Sequence, residues 1–325
     1  MTPYLKKKIR TERKDNLMDF FNLGSIFGYV LWGMYQLVHD YAFAIVIFTI
    51  LTKLLLFPTS IKQQKTMAKN SRLQAKQREL REKYGNNREK IQEETQKLYA
   101  QEGVSPYGGC LSTIIPMFLM IGVYMAVANP LTNTLHINSD IINNAKSALE
   151  AVPGLNLSAS DVYGGQIDIM KYINIESIRS CFDVEGAKVT ADQVSEFCSS
   201  FNFFGFNLLE MPKDLGFSWY LLIPVLSFVT SVGSQYFIQK LNNSGNPQQQ
   251  QGCMKAMIFL LPLFSAYISY TVPAAVGFYW ICSTVLGFGQ SLILHRYYGP
   301  GITIAKGEAA RVAMLEKREA SIKRI

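Results

Sequence analysis

Apolar residues along this chain gather into blocks instead of recurring singly. The blocks run Tyr41–Phe57, Leu111–Ala128, Trp219–Ile238, Ala256–Val272 and Ala274–Leu294, each 17–21 residues long. A helix needs about 20 apolar residues to cross the hydrocarbon core of a bilayer. The pattern therefore predicts an all-α, polytopic membrane protein with five transmembrane helices, at 41–58, 108–130, 217–238, 255–272 and 274–294. A soluble bundle of buried core helices is the weaker alternative for five such blocks in one chain.

The polar connections carry their own signals. Residues 59–107 lack proline from Ser60 to Ser105 and are rich in Lys, Gln, Ala, Arg, Leu and Glu, all good helix formers. Gly85 interrupts them, and Asn86, three residues before Glu89, offers a cap-like restart. A helical hairpin is expected, with apolar positions so sparse that it need not pack tightly on anything else. The 131–216 connection shows polar stretches, Gly/Pro turns and no repeat. Its end, Phe201 to Phe217, is aromatic enough to lie at the membrane surface. Residues 239–254 read as a flexible loop, and Pro273 makes a tight turn between the last two spans.

Charge gives these connections sides. The chain carries +8 overall with 17% charged residues, below the roughly 25% usual for soluble domains. Residues 62–107 hold eleven Lys/Arg against six Glu, and 295–325 hold seven against three, whereas 131–216 hold five against eleven Asp/Glu. The positive-inside rule makes the hairpin and the basic tail cytoplasmic, and parity puts 131–216 outside. This alternation argues against DNA as the partner of the positive charge. Five crossings then place the N-terminus outside, although residues 1–14 carry six Lys/Arg. Two readings of 1–40 fit: residues 24–39 form a short sixth span, or they form an interfacial amphipathic helix and translation starts at Met18. Three glycines, Gln36, His39 and the rings Trp32, Tyr29 and Tyr35 favour the interfacial helix.

Candidate chemistry is sparse. Cys181 and Cys198 fall in the outside segment, where an oxidising compartment permits a disulfide, with two free thiols the equal alternative. No cysteine pair has metal-site spacing, and no cofactor motif occurs. The five blocks contain no Asp, Glu or His, which removes proton relays and the usual ion-coupling sites and argues against an enzyme. Lys53 is the one charged side chain well inside a span. It either snorkels to the cytoplasmic headgroups or faces a wet cavity among the helices. Thr49 lies one turn deeper on its face, and Ser227, Thr230, Ser231, Ser234 and Gln235 form a polar stripe on the third span. Ser283, Thr284 and Gln290 add polar positions to the last. Each such residue also suits close helix packing; together with Lys53 they fit the lining of a hydrated groove.

Several stretches carry a family resemblance: "AIVIFTILTKLLLFPTSIKQQKTMAK", "LYAQEGVSPYGGCLSTIIPMFLMIGVYMAV", "YFIQKLNN" and "FLLPLFSAYISYTVPAAVGFYWICSTVLGFGQ". From about Gly28 to Tyr298 the chain resembles the YidC-type membrane protein insertases, in the short form without a large extracytoplasmic domain. The resemblance implies a five-helix core around a groove open to cytoplasm and lipid, a bacterial plasma-membrane location and no cofactor. It further implies that Lys53, where most members carry arginine, attracts acidic flanks of substrates, and that Thr49, Gln235, Tyr279 and Trp280 line the groove or touch substrate. For Tyr279 and Trp280, interfacial or packing roles stand beside that one.

The function expected from the resemblance is insertion and folding of nascent membrane proteins, alone or with the Sec translocon. Ribosomes and the signal recognition particle receptor are candidate partners of the basic cytoplasmic parts. Two rival classes remain: a small-anion channel or transporter using Lys53 as its selectivity charge, and an assembly scaffold without insertase activity.

Overall fold

The computed structural model describes residues 23–85, 87–101, 121–155, 157, 165–183, 189–242 and 252–322. The expectations for the basic N-terminus, for Asn86 and for most of the loop 239–254 lie outside them, as does the first part of the second span. The described chain is helical apart from turns and one two-stranded hairpin, and its contacts divide it into two compact units.

The first unit takes the residues up to 50, residues 116–227 and residues 264–282. It begins with α1 (Leu23–Val38) and the first part of α2 (Tyr41–Leu55). Tyr41 opens α2 fully buried, stacked on Phe201 at 4.2 Å between ring centroids and edge-on to Phe197 at 5.3 Å. Its N–H donates to the Ser200 carbonyl at 3.1 Å, so the 131–216 segment closes over the start of the span.

That segment is itself a packed helical domain, which its sequence did not announce. After α5 (residues 121–128) and the single turn α6 (Pro130–Asn133), it forms helices α7 (Ser139–Glu150), α8 (Gln166–Lys171), α9 (Glu176–Arg179) and α10 (Ala191–Ser199). The first is capped by the Asn138 side chain, which accepts from the Asp140 N–H at 3.1 Å. The last starts with a reciprocal box: Thr190 Oγ1 accepts from the Gln193 N–H, and Gln193 Oε1 from the Thr190 N–H. Such caps satisfy helix-end donors that have no partner within the helix. Apolar positions three and four apart, such as Ile142, Ala145 and Leu149, or Val194 and Phe197, are buried in its core. Arg179 pairs with Asp192 across two of these helices, and Lys171 with Glu210 at 2.6 Å. Cys181 and Cys198 are free thiols. Each Sγ donates to a different backbone carbonyl, Ser177 and Met170 respectively, and burial pushes the Cys198 thiol up to about 11. The domain then grips the last span: the N–H groups of Ala274 and Ala275 donate to the carbonyls of Glu210 and Leu208, both at 2.8 Å.

The second unit takes residues 51–115, 228–263 and 283–325. α2 stops at Leu55, and α3 (Phe57–Tyr84) leaves it at 59°. Pro58 has no N–H to give the carbonyl four residues back and sits in the first turn of the new helix, where that lack costs least. The expected hairpin forms, turned at Gly85 with φ 57° and continued by α4 (Arg88–Gln101). Its cap is Asn87, whose Oδ1 accepts from the Lys90 N–H at 3.2 Å. On the exposed face of α4, Lys97 bridges Glu93 at 2.7 Å and Glu94 at 2.9 Å, which holds the Glu93 carboxyl below its usual range. The basic tail is a helix as well, Pro300–Ile322, packed along α3. The Lys65 ammonium lies 5.0 Å over the Tyr298 ring, so the hairpin is not bare as its few apolar positions suggested.

Among the described residues, Trp219–Leu241 and Ala274–Thr303 are long and apolar enough to cross a bilayer, and the bent pair around Leu56 makes a third if counted as one span. In α12 (Gly252–Thr271) the stretch Phe259–Thr271 is apolar but shorter. Its Phe259, Leu260, Leu261, Leu263 and Phe264 are each more than half exposed, an outward apolar surface suited to lipid. The protein is thus an all-α membrane protein with two to three candidate spans within the described residues. The second predicted span, 108–130, is described only from residue 121.

Candidate functional site

Lys53 lies in the last turn of α2. A cation there meets the partial negative charge of the helix C-terminus, which favours it. The helix has two unlike sides at this level. Leu51, Leu54 and Leu55 are 44%, 64% and 77% exposed, whereas Thr49 and Thr52 are buried and Lys53 is half-buried. Thr49 Oγ1 donates to the Ile45 carbonyl at 2.6 Å, a back-bond that lets a hydroxyl sit within an apolar helix.

Within the second unit the lysine reaches across to α13 (Ala274–Tyr298). A Cβ built on Gly287 would stand 3.1 Å from Lys53 Nζ, so the ammonium rests where this helix has no side chain. Among the described residues no carboxylate pairs with it. Ser291, one turn along α13, donates its hydroxyl to the Gly287 carbonyl at 2.8 Å. The Gln290 side-chain N–H group is buried with no partner among the described residues. Gln235, on α11 (Leu222–Asn242), belongs to the same unit and is half-buried. Further along, Gln64, Ile238, Leu241, Ser291 and His295 line a small crevice.

Thr49, Tyr279 and Trp280 belong to the first unit, where all three are buried. Tyr279 and Trp280 are 2% and 8% exposed. The helices cross closely there: a Cβ on Gly277 would meet Ile223 Cγ2 at 2.6 Å and Ser269 Oγ at 3.1 Å. The Trp280 indole N–H and the Ser269 hydroxyl are buried without a partner among the described residues. The five candidate residues thus divide between the units, three buried in the first and two half-buried in the second.

Gly287 is the contact that sequence reading did not single out. Ser283, Thr284 and Gln290 attracted attention as polar positions, but a glycine within an apolar span has no polar signal. What it offers is room, and the need for room appears only when a long cation from another helix arrives beside it. Chemically the arrangement is a cation and amide donors on apolar helices. Among the described residues no cluster of three His, Cys, Asp or Glu could hold a metal.

Residues 33–300 match the family model described as 60Kd inner membrane protein. Among similar proteins, the "Inner membrane ALBINO3-like protein 2, chloroplastic" of Chlamydomonas reinhardtii is 27% identical over 259 residues, covering 80% of this chain and 50% of that protein. The "Inner membrane protein ALBINO3, chloroplastic" of Arabidopsis thaliana is 27% identical, covering 80% and 48%. The "Membrane protein insertase YidC" of Leptospira interrogans is 24% identical, covering 81% and 33%. The chain therefore spans half or less of the length of these relatives.

Proposed function

The chain belongs to the 60Kd inner membrane protein family, and on that footing we propose that it is a membrane protein insertase. The name carried by its Leptospira relative, membrane protein insertase, supports the reading. The observation that carries it in this molecule is Lys53: a cation in an apolar helix, half-buried, with no carboxylate partner among the described residues.

In the proposed mechanism a nascent hydrophobic segment enters beside the spans while its polar flank occupies a wet groove. A charge held at the bilayer centre costs about 3 kcal/mol on insertion scales. A groove that carries water and a cation part of the way across shortens the dry path and lowers that cost. Partition of the apolar segment into lipid supplies the drive, so no nucleotide is needed. Lys53 attracts acidic flanks and Gln235, in the same unit, lines the path; Thr49, Tyr279 and Trp280 act within the first unit, where they are buried. Lysine keeps the charge of the family's more usual arginine but gives up its planar, two-pronged donor set. Attraction is retained and bidentate recognition is not.

In this reading the hairpin and tail face the cytoplasm, the N-terminus lies outside, and nascent membrane proteins and lipid are the partners. The basic hairpin and tail suit ribosomal RNA or targeting factors through phosphate attraction, and the Sec translocon is a candidate collaborator. Depletion tests the proposal. Short single-span substrates should accumulate uninserted without the protein, and insertion at the normal rate would overturn it. A channel using Lys53 for anion selectivity would instead show conductance with no protein substrate present.

Gly287→Ala follows from the same geometry. The added methyl must displace the ammonium, the movable end of a flexible side chain, so folding should be nearly unaffected. Insertion of acidic-flank substrates should fall about threefold while neutral-flank substrates are unchanged, about 0.6 kcal/mol of lost attraction. Equal loss for both substrate types would mean that Gly287 matters only for helix packing.

A further inference from the structure

The hairpin β1 (Asn202–Phe203) and β2 (Phe206–Asn207) pairs Asn202 with Asn207 and Phe203 with Phe206. That register leaves Phe204 and Gly205 as a two-residue loop, and both have positive φ, 47° and 83°. Such a turn prefers Asn-Gly, because a bulky side chain is strained in the left-handed region. Here the chain places phenylalanine, 86% exposed, at the position least suited to it. Its ring meets Phe203 edge-on at 4.7 Å between centroids yet stays outward; where a sequence breaks a local rule for so small a packing gain, function is the expected reason.

The surroundings say what covers it. Tyr220 ties the hairpin to the start of the third span: its hydroxyl accepts from the Asn207 N–H at 2.8 Å, and its ring meets Phe206 at 5.4 Å. Phe203 turns inward onto Phe43 and Phe278. The rings left outward on this stretch are Phe204, Phe217 and Trp219, the last two 103% and 82% exposed. Trp219 is also the first residue of the span Trp219–Leu241. A span's first residue stands at the water–lipid boundary, where Trp is enriched. The aromatic patch is therefore continuous with the bilayer surface.

We propose that the Phe204–Gly205 tip, with Phe217 and Trp219, is a lipid-binding wedge that seats the 131–216 domain on the membrane interface beside α11. Its occupant is the headgroup and upper acyl region of the bilayer. The proposal requires only that α11 spans the membrane and is independent of insertase activity.

The test uses the full chain reconstituted in phosphatidylcholine–phosphatidylglycerol vesicles, with part of the lipid brominated near the headgroup end of its chains. Phe204→Trp adds one indole, and its emission is obtained as the difference from the parent protein. Bromolipid should remove most of that added emission, with aqueous acrylamide having little effect. Added emission that bromolipid leaves unchanged and acrylamide quenches would overturn the proposal. Phe204→Asn supplies the preferred turn pair and should leave the melting temperature unchanged or higher. A lowered melting temperature would show that the ring serves internal packing, and would also overturn it.

Discussion

Lys53→Glu is expected to slow insertion of substrates with acidic flanks more than tenfold, with much smaller effects on neutral-flank substrates. At about 8 Å and an effective dielectric near 20, a single attraction is worth roughly 2 kcal/mol, and reversal replaces it by a repulsion of similar size. Lys53→Arg should retain activity, because the charge is what the proposed step uses. The local geometry supports this separation. Lys53 occupies the last turn of α2, so Glu adds a second penalty by placing an anion at the negative end of the helix. A neutral substitution isolates the two effects: Lys53→Gln removes the attraction without the dipole penalty and should fall between the parent and Glu. Insertion is scored as the protease-protected fraction of pulse-labelled substrate. Tolerance of Glu by every substrate would remove the charge from the mechanism.

Gly28→Ala should lower stability by about 3 kcal/mol, the upper range for forcing a methyl into a packed contact. A Cβ there would stand 1.9 Å from the Asn133 carbonyl oxygen and 2.5 Å from its carbon. Both are backbone atoms, so no rotamer change relieves the clash and the helix itself must shift. Gly24, one turn earlier, is also close, with Met125 Cβ 2.8 Å from its built Cβ. The two glycines let α1 lie directly on the Pro130–Asn133 turn, where Tyr29 also stacks on His136 at 3.5 Å. Burial beside that ring pushes the His136 imidazole down. Gly33, on the same helix, has nothing within 4 Å of its built Cβ. Gly33→Ala should therefore raise stability by about 0.5–1 kcal/mol, since a helix-interior glycine is replaced without crowding. Opposite signs from one substitution type on one helix, read by thermal unfolding in detergent, distinguish docking from propensity. A similar loss at both positions would refute the docked arrangement.

Trp219–Leu241 and Ala274–Thr303 were legible as candidate spans because lipid imposes a simple rule: long apolar runs with few charges. Lys53 was legible for the complementary reason, as a breach of that rule. The hairpin turn at Gly85 could be read from a single residue, whereas the bond that Asn87 accepts from the Lys90 N–H could not be assigned between two adjacent asparagines that carry the same local signal. The 131–216 domain escaped because its helices are short and its core is assembled from distant pieces. Tyr41 stacking on Phe201 and the Glu210 carbonyl receiving the Ala274 N–H have no periodic trace in sequence. The aromatic run Phe201–Phe217 read as one membrane-facing stretch, yet its members part company: Phe201 is fully buried and Phe217 fully exposed. The packing of the tail helix on α3 was hidden by its charge, which reads as solvated whether or not one side is covered.

A wet groove requires that water reach position 53 from the cytoplasm. The direct measurement is labelling of Lys53→Cys in intact membranes by a membrane-impermeant maleimide supplied on the cytoplasmic side, with the site resolved by mass spectrometry. Maleimide reacts with the thiolate, which forms only where water solvates it; the rate at position 53 should lie within about tenfold of that for Arg88→Cys on the exposed hairpin. Labelling that begins only after the membrane is dissolved would place the residue in lipid, and would leave a lysine reaching for headgroups as the whole account of its charge.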